Sequence, residues 1–492
     1  MTAIVRFQNS CKIIDEEDLE IFKALDKELS YKIQGAEFSQ AYKGYINDQG
    51  EFVSWDGRRH LMSSTGKFPV GLFTRAVEFF HSKGIYPQII DKRPPYEQYP
   101  EINILPQLEA LGKTPRHYQL EAADKAVKTD RGIIRLATGS GKSLVAALIT
   151  AKLGKPTIIY VIGTDLLYQF QKLFSDVFQT EIGIIGDSKC EIRDINIATI
   201  WSVGQALGLK KNISLDDSSD TEKKMDPSKF RTIKEMLLNS NVHILDECHM
   251  AACSTVQTIS KNIKAEHVYG MSASPWRDDN GDLLIEAFLG NKIIDLSAKL
   301  LIQQGFLVQP DIRFFAPKPY PYKSGAYQRV YSKYVTENNQ RNEMIVKGTA
   351  KMVEDGFIPL VLFHSLKHGN ILFDSLKNVV PTALLSGKDS SKIRDKIKDE
   401  IETGKIKCIV ASKIFDIGID LPILSGLVCA GAGKSSVRAL QRIGRVIRPY
   451  NNKKIAAVME FADQAPYLSD HAEIRKQIYQ SEFEVKWPQR KT

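Results

Sequence analysis

From Thr114 onward, short apolar runs alternate with segments of helical period. Gly132–Leu136, Thr157–Ile162, Ile195–Thr199 and Val242–Leu245 are almost continuously apolar, as strands covered on both faces must be. A second series begins near Pro310, with runs at Pro359–Phe363, Thr382–Leu385, Lys407–Ala411, Gly426–Ala430 and Ala456–Phe461. Strands of this kind separated by helices predict an α/β fold with two tandem doubly wound parallel sheets, over residues 114–300 and 301–465. Residues 1–92 have a different texture and predict a small α+β domain. There, alternating segments at Glu37–Tyr45 and Glu51–Leu61 flank Asn47-Asp48-Gln49-Gly50, a hairpin signal, and a helical pattern covers Gly71–Lys83. Pro94, Pro95, Pro100 and Pro106 resist helix and sheet, so 93–113 is expected to be a linker. The polar stretch Leu209–Lys229 is an expected solvated insertion. Residues 466–492 are an expected polar tail, with a helix at Asp470–Tyr479.

The chain has 492 residues, 43% of them apolar, too many for one hydrophobic core. A net charge of +9 favours a polyanionic partner, the other reading being a merely basic surface. No apolar run is long enough to span a membrane, and the first residues carry no secretory pattern. Cys11, Cys190, Cys248, Cys253, Cys408 and Cys429 are scattered without a C-x-x-C pair. Neither a disulfide framework nor a structural metal is therefore expected. A reducing cytoplasm fits, that of the host if the chain is viral.

Three short motifs carry the chemistry. Ala137-Thr138-Gly139-Ser140-Gly141-Lys142-Ser143 lies between an expected strand and an expected helix, Ser143–Leu153. Glycines there let backbone N–H groups converge on phosphate oxygens, Lys142 reaches the terminal phosphates of ATP, and the Ser143 hydroxyl ligates Mg2+. The first glycine of the usual G-x-x-x-x-G-K-S pattern is Leu136 here. Asp246 and Glu247 end the run Val242–Leu245, at the carboxyl edge where doubly wound sheets bind ligands. Asp246 would hold Mg2+, and Glu247 would orient and deprotonate the attacking water. In Gln441-Arg442-Ile443-Gly444-Arg445-Val446-Ile447-Arg448 the arginines recur every third residue, roughly on one helical face. A solvated basic face is one reading. The other makes Arg445 and Arg448 arginine fingers for ATP held by the first domain, which accounts for a second domain without a phosphate loop.

Together these motifs resemble those of superfamily 2 helicases and translocases over about residues 114–463. The resemblance implies two RecA-like domains that clamp ATP, and it extends to weaker motifs. Arg116-His117-Tyr118-Gln119 is similar to the adenine-recognition element, with Gln119 reading the base. By the same likeness, His249 of Asp246-Glu247-Cys248-His249, Ser272 and Ser274 of Ser272-Ala273-Ser274, Gln441 and Arg442 couple hydrolysis to strand movement. In the run Ala411–Pro422, Gly418 and Asp420 would face the nucleotide and Ser412 the nucleic acid. Thr199 and Trp201, His364, and Thr164 sit where strand-contacting loops belong.

The layout further resembles bacteriophage branch-migration helicases of the UvsW type, in its small N-terminal module with Trp55-Asp56-Gly57-Arg58 and its compact C-terminus. The implied partner is branched or forked DNA. Trp55-Asp56-Gly57 also reads simply as a turn with a packing tryptophan. The functional alternative groups Tyr42, Lys43, Tyr45, Trp55, Arg58 and Arg59 on one hairpin, where rings and cations would hold nucleic acid. Two further readings stay open at this level: a duplex translocase serving a restriction or remodelling complex, and an RNA helicase. A nucleic-acid binder using ATP only as a switch fits less well, since it needs neither Glu247 nor the arginines. Oligomeric state is open, a monomer being one reading.

Overall fold

The computed structural model describes residues 2–14, 18–46, 49, 51–209, 224–273, 281–318, 325–386, 389, 391–412, 421–431, 433 and 436–488. It divides into two units, Met1–Leu136 with Gly141–Asp295, and Ala137–Ser140 with Leu296–Thr492.

The expected apolar runs form the centre of an eight-stranded sheet in the first unit. Its order is Lys189–Glu191, Gly183–Gly186, Ile195–Thr199, Thr157–Val161, Val242–Asp246, His267–Ser272, Arg131–Leu136, Lys292–Leu296. Thr157–Val161, Ile195–Thr199, Val242–Asp246 and His267–Ser272 are buried along their whole length, which is why they are mostly apolar without alternation; the buried polar exceptions include His243, whose Nδ1 lies 2.7 Å from the Tyr160 hydroxyl. Parallel pairing sets Asp246 opposite Met271 and Ser272 opposite Arg135. This register brings the ends of three strands to one edge of the sheet. The edge carries the phosphate loop, the carboxylate pair and the serine motif. Helix Lys142–Leu153 is buried from Val145 to Thr150 and ends at left-handed Gly154.

The second unit holds a seven-stranded parallel sheet in the order Thr382–Leu385, Cys408–Ala411, Pro359–Leu362, Gly426–Val428, Ile455–Phe461, Gln309–Phe315, Val485–Lys486. The segment expected to be a polar tail with a helix at Asp470–Tyr479 forms helix Leu468–Gln480 and also contributes the last strand of the sheet. Leu468, Ala472, Arg475 and Tyr479 of that helix are buried at i, i+4, i+7 and i+11. Two of the four are polar-capable residues that find a buried partner: Arg475 and Tyr479 both reach Glu460, at 3.2 and 2.7 Å. Buried polar pairing of this kind is invisible to a hydropathy count.

The N-terminal module is a four-stranded sheet, Lys67–Pro69, Ser10–Ile14, Ala3–Arg6, Gln88–Asp91, packed by helices Leu19–Glu28 and Phe73–Ser82. Glu37–Tyr45 is not extended as expected. It forms short helical turns at Ala36–Phe38 and Gln40–Lys43, because Ser39 caps the second by accepting the Tyr42 N–H. Only Tyr45–Ile46 and Phe52–Val53 pair as a hairpin, and Arg58–His60 pairs instead with Ser30–Lys32. Along 93–113, Arg93 is bonded to Asp130 at 2.6 Å, the Ile102 N–H to the Ala151 carbonyl, and Leu105–Ala110 is helical. Of the expected insertion, 210–223 lies outside the described residues, and Pro227–Lys229 is a helical turn leading into helix Phe230–Asn239. Among the described residues no helix is long and apolar enough to cross a membrane.

Candidate nucleotide site

Gly139 and Gly141 have φ of +86° and +83°, a left-handed backbone that side chains rarely adopt. These angles turn the chain from strand Arg131–Leu136 into helix Lys142–Leu153, leaving the first helical N–H groups free of intrahelical partners. Lys142 and Ser143 are the first two residues of that helix and are partly exposed. Space is a second constraint: a Cβ on Gly141 would stand 2.5 Å from Gln119 Nε2. Gln119 is buried, and its Oε1 accepts the Arg116 N–H at 2.8 Å, closing the turn into helix His117–Val127. Its amide thus lies against the phosphate loop with one oxygen lone pair engaged.

Asp246 ends its buried strand, and Glu247 follows at φ +52°, left-handed for a residue with a side chain. Such strain concentrates at functional sites. Burial raises the Asp246 carboxyl well above the usual carboxylate range, helped by the charge of Glu247 and opposed by Lys142. Burial acts on Glu247 in the same direction, but the nearby His249 and the charge of Lys142 outweigh it and hold Glu247 below the usual range. His249 Nδ1 lies 3.4 Å from Glu247 Oε2, and the Ser272 hydroxyl donates to that same oxygen at 3.3 Å. The coupling residues His249 and Ser272 therefore meet on the expected water-activating carboxylate. Asp246 Oδ1 is buried with no hydrogen-bond partner among the described residues. A buried carboxylate oxygen lacking a donor suits a cation, so the residues fit Mg2+. Ser274, Gly418 and Asp420 lie outside the described residues.

In the second unit, helix Ser436–Val446 carries Gln441, Arg442 and Arg445, all partly exposed, while Ile443 and Val446 are buried. The helix stops at Val446, so Arg448 sits in the following bend and not on the helical face the three-residue spacing suggested. Ala137–Ser140 packs with this unit. Within it, a Cβ on Gly139 would stand 3.1 Å from Arg448 Cγ, and one on Gly444 would overlap Thr138 Cβ at 2.1 Å.

The expected nucleic-acid contacts divide. His364 is exposed beyond strand Pro359–Leu362, Ser412 follows strand Cys408–Ala411, and Thr164 opens helix Thr164–Phe178; Trp201 is partly exposed, and Lys43 and Arg59 are exposed. Three residues serve the fold itself. Thr199 is 1% exposed, and its hydroxyl caps helix Ile200–Ala206 by accepting the Ser202 N–H. The Arg58 guanidinium donates to the Ser30 hydroxyl and to the Ser30 and Lys27 carbonyls at 2.7–3.2 Å, tying down the end of helix Leu19–Glu28. Trp55 Nε1 donates to the Arg58 carbonyl at 2.8 Å, which makes it the packing tryptophan of its turn. Sequence reasoning also passed over Ile46 and Phe52, paired across the hairpin that carries Tyr45 and exposed at 70% and 69%, and Phe38, exposed at 80%. Isolated apolar residues in short segments carry no periodic signal.

Residues 112–277 match the family model described as type III restriction enzyme, res subunit, and residues 338–450 match the helicase conserved C-terminal domain. The chain is 26% identical over 479 residues to a protein of Enterobacteria phage T4 named ATP-dependent DNA helicase uvsW, covering 91% of this chain and 90% of that one. It is 25% identical to the DNA 3'-5' helicase XPB of Kineococcus radiotolerans, over 68% of this chain and 57% of that protein. In fold it is similar to a point variant of Saccharomyces cerevisiae Dbp5 bound to RNA and ADP BeF3, with a TM-score of 0.56 and 14% identity over 80% of this chain and 94% of that one. The two α/β units therefore have the tandem RecA-like fold.

Proposed function

We propose that this chain, whose two α/β units match the res-subunit and helicase C-terminal family models, is a superfamily 2 ATP-driven motor that remodels branched DNA. Fork regression, migration of four-way junctions and duplex unwinding are its reactions. The observation that carries the reading is the meeting of His249 and Ser272 on one oxygen of an ionised Glu247. A protein that used ATP only as a switch would have no need of a charged carboxylate held by the coupling motifs. Branched DNA as substrate draws its support from the likeness to the T4 helicase across nearly its whole length.

In this reading residues 114–300 bind ATP, 301–465 supply the arginines, and 1–92 hold DNA. The loop Thr138–Lys142 cradles the phosphates, Gln119 with Arg116 takes the adenine, and Gly418 and Asp420 add contacts. Ser143 and Asp246 would hold Mg2+, which would supply charge compensation for the phosphate oxygens. Glu247 orients the attacking water and takes its proton. Lys142, Arg445 and Arg448 stabilise charge that develops on the transferred phosphoryl group, a contribution of about 10³–10⁵ in rate for an arginine finger. Gln441 and Arg442, with His249, Ser272 and Ser274, relay hydrolysis to the DNA contacts: Thr164, Trp201, His364, Ser412, Lys43 and Arg59. Contacts are to phosphates, so binding is sequence-independent and weakens with salt.

The test is an end-labelled four-way junction incubated with the full chain. The expected result is conversion to forked duplex with ATP and none with a non-hydrolysable analogue. If the protein instead displaces a third strand from a linear triplex and leaves the junction intact, it is a duplex translocase and the proposal fails.

A further inference from the structure

Helix Asp282–Leu289 belongs to two hydrophobic cores at once. Ile285, Phe288 and Leu289 pack in the core of the eight-stranded sheet, together with Cys248 and Ala251 of the turn that follows Glu247. Leu283 and Ala287, one helical turn apart, complete the core of the N-terminal module. Contact is tight on both sides. A Cβ on Gly270, in the strand that ends at Ser272, would stand 2.6 Å from Cys248 Cβ and 2.2 Å from Leu289 Cδ1. On the module side, a Cβ on Gly71 would stand 2.2 Å from the Glu286 carbonyl oxygen and 2.5 Å from that of Ala287. Gly71 lacks positive φ, so this close approach alone requires glycine there.

Charged groups fix the same helix. Arg75 of the module forks onto Glu286, with Nε at 3.1 and 3.2 Å and Nη2 at 2.8 Å, and its Nη1 reaches Glu28 at 2.7 Å. Arg131, on the strand leading to the phosphate loop, donates to the Phe288 carbonyl at 3.0 Å and to the Gln8 carbonyl of the module at 3.2 Å. Packed interiors transmit displacement because they contain little free volume. A shift of the module therefore moves this helix, and the helix bears directly on the turn beside Glu247 and His249.

We propose that helix Asp282–Leu289 transmits occupancy of the N-terminal module by DNA to the Cys248–Ala252 turn, with Gly71 and Arg75 as positioning residues. This rests on the reading of the chain as a DNA-driven motor. The module then acts as more than an anchor: it sets how fast the bound ATP is hydrolysed.

The experiment measures ATP turnover of the full chain without DNA and across a titration of forked DNA, for the parent, Arg75→Gln, Arg75→Lys and Gly71→Ala. In Arg75→Gln the rate without DNA is expected to stay at the parent value, and the maximal DNA-stimulated rate to fall about fivefold or more. The DNA concentration at half-stimulation is expected to be unchanged, and Arg75→Lys to restore part of the loss. Gly71→Ala is expected to fall in the same direction; if it does not fold, Arg75→Gln carries the test. A parent-like stimulated rate in Arg75→Gln overturns the proposal. So does a raised half-stimulation concentration with an unchanged maximal rate, which marks Arg75 as part of a plain DNA anchor. Absence of stimulation in the parent overturns the reading on which the proposal rests, and the proposal with it.

Discussion

Lys142→Ala is expected to lower DNA-stimulated ATP turnover by at least about 10²-fold, the loss typical of removing one preorganised stabilising group from a polar site. Lys142 is the first residue of its helix, directly after left-handed Gly141, and its charge acts on both Asp246 and Glu247. Without it, two adjacent carboxylates face the phosphates with no side-chain cation on the loop. Binding of nucleic acid should survive, because Lys142 contributes to none of the proposed DNA contacts. Phosphate release together with fluorescence anisotropy on labelled forked DNA measures both quantities on one preparation. Turnover at the parent rate would show that ATP is hydrolysed elsewhere.

The second large effect is at Glu247. Glu247→Gln is expected to slow hydrolysis by about 10²–10⁴-fold, the contribution of a positioned general base. ATP should still bind, since the phosphate loop, Lys142 and Asp246 are intact. The amide is nearly isosteric and its oxygen can still accept the Ser272 hydroxyl, so the fold around the turn is expected to hold. The signature is therefore a split: nucleotide affinity close to the parent's with turnover lost. Single-turnover hydrolysis beside equilibrium binding of a fluorescent ATP analogue reads it. Loss of both together would make Glu247 a structural residue.

The sequence was most legible where backbone physics leaves few choices. Strands buried on both faces are mostly apolar without alternation, which is how Thr157–Val161 and Val242–Asp246 announce themselves. A phosphate loop needs left-handed residues at fixed places, and Gly139 and Gly141 stand there. Legibility ended where one residue type serves two purposes. Arg58 looked like a phosphate ligand but binds carbonyls of Lys27 and Ser30, remote in sequence from the turn that carries it. Thr199, a candidate nucleic-acid contact by resemblance, caps a helix. Whether a polar side chain binds a ligand or its own fold depends on neighbours that only tertiary structure supplies. Helix Asp282–Leu289 shows the same limit for apolar residues, as its pattern predicts burial without saying that two cores share it. The left-handed turn at Glu247 left no trace in composition, because glutamate does not favour it.

The central claim is that this site hydrolyses ATP in response to branched DNA. The most direct measurement compares steady-state ATP turnover with equal nucleotide concentrations of single-stranded DNA, linear duplex, forked DNA, four-way junction and RNA. The account predicts the highest turnover with the fork and the four-way junction, and loss of all stimulation in Lys142→Ala. Highest turnover with RNA, or equal turnover with and without any nucleic acid, would contradict it.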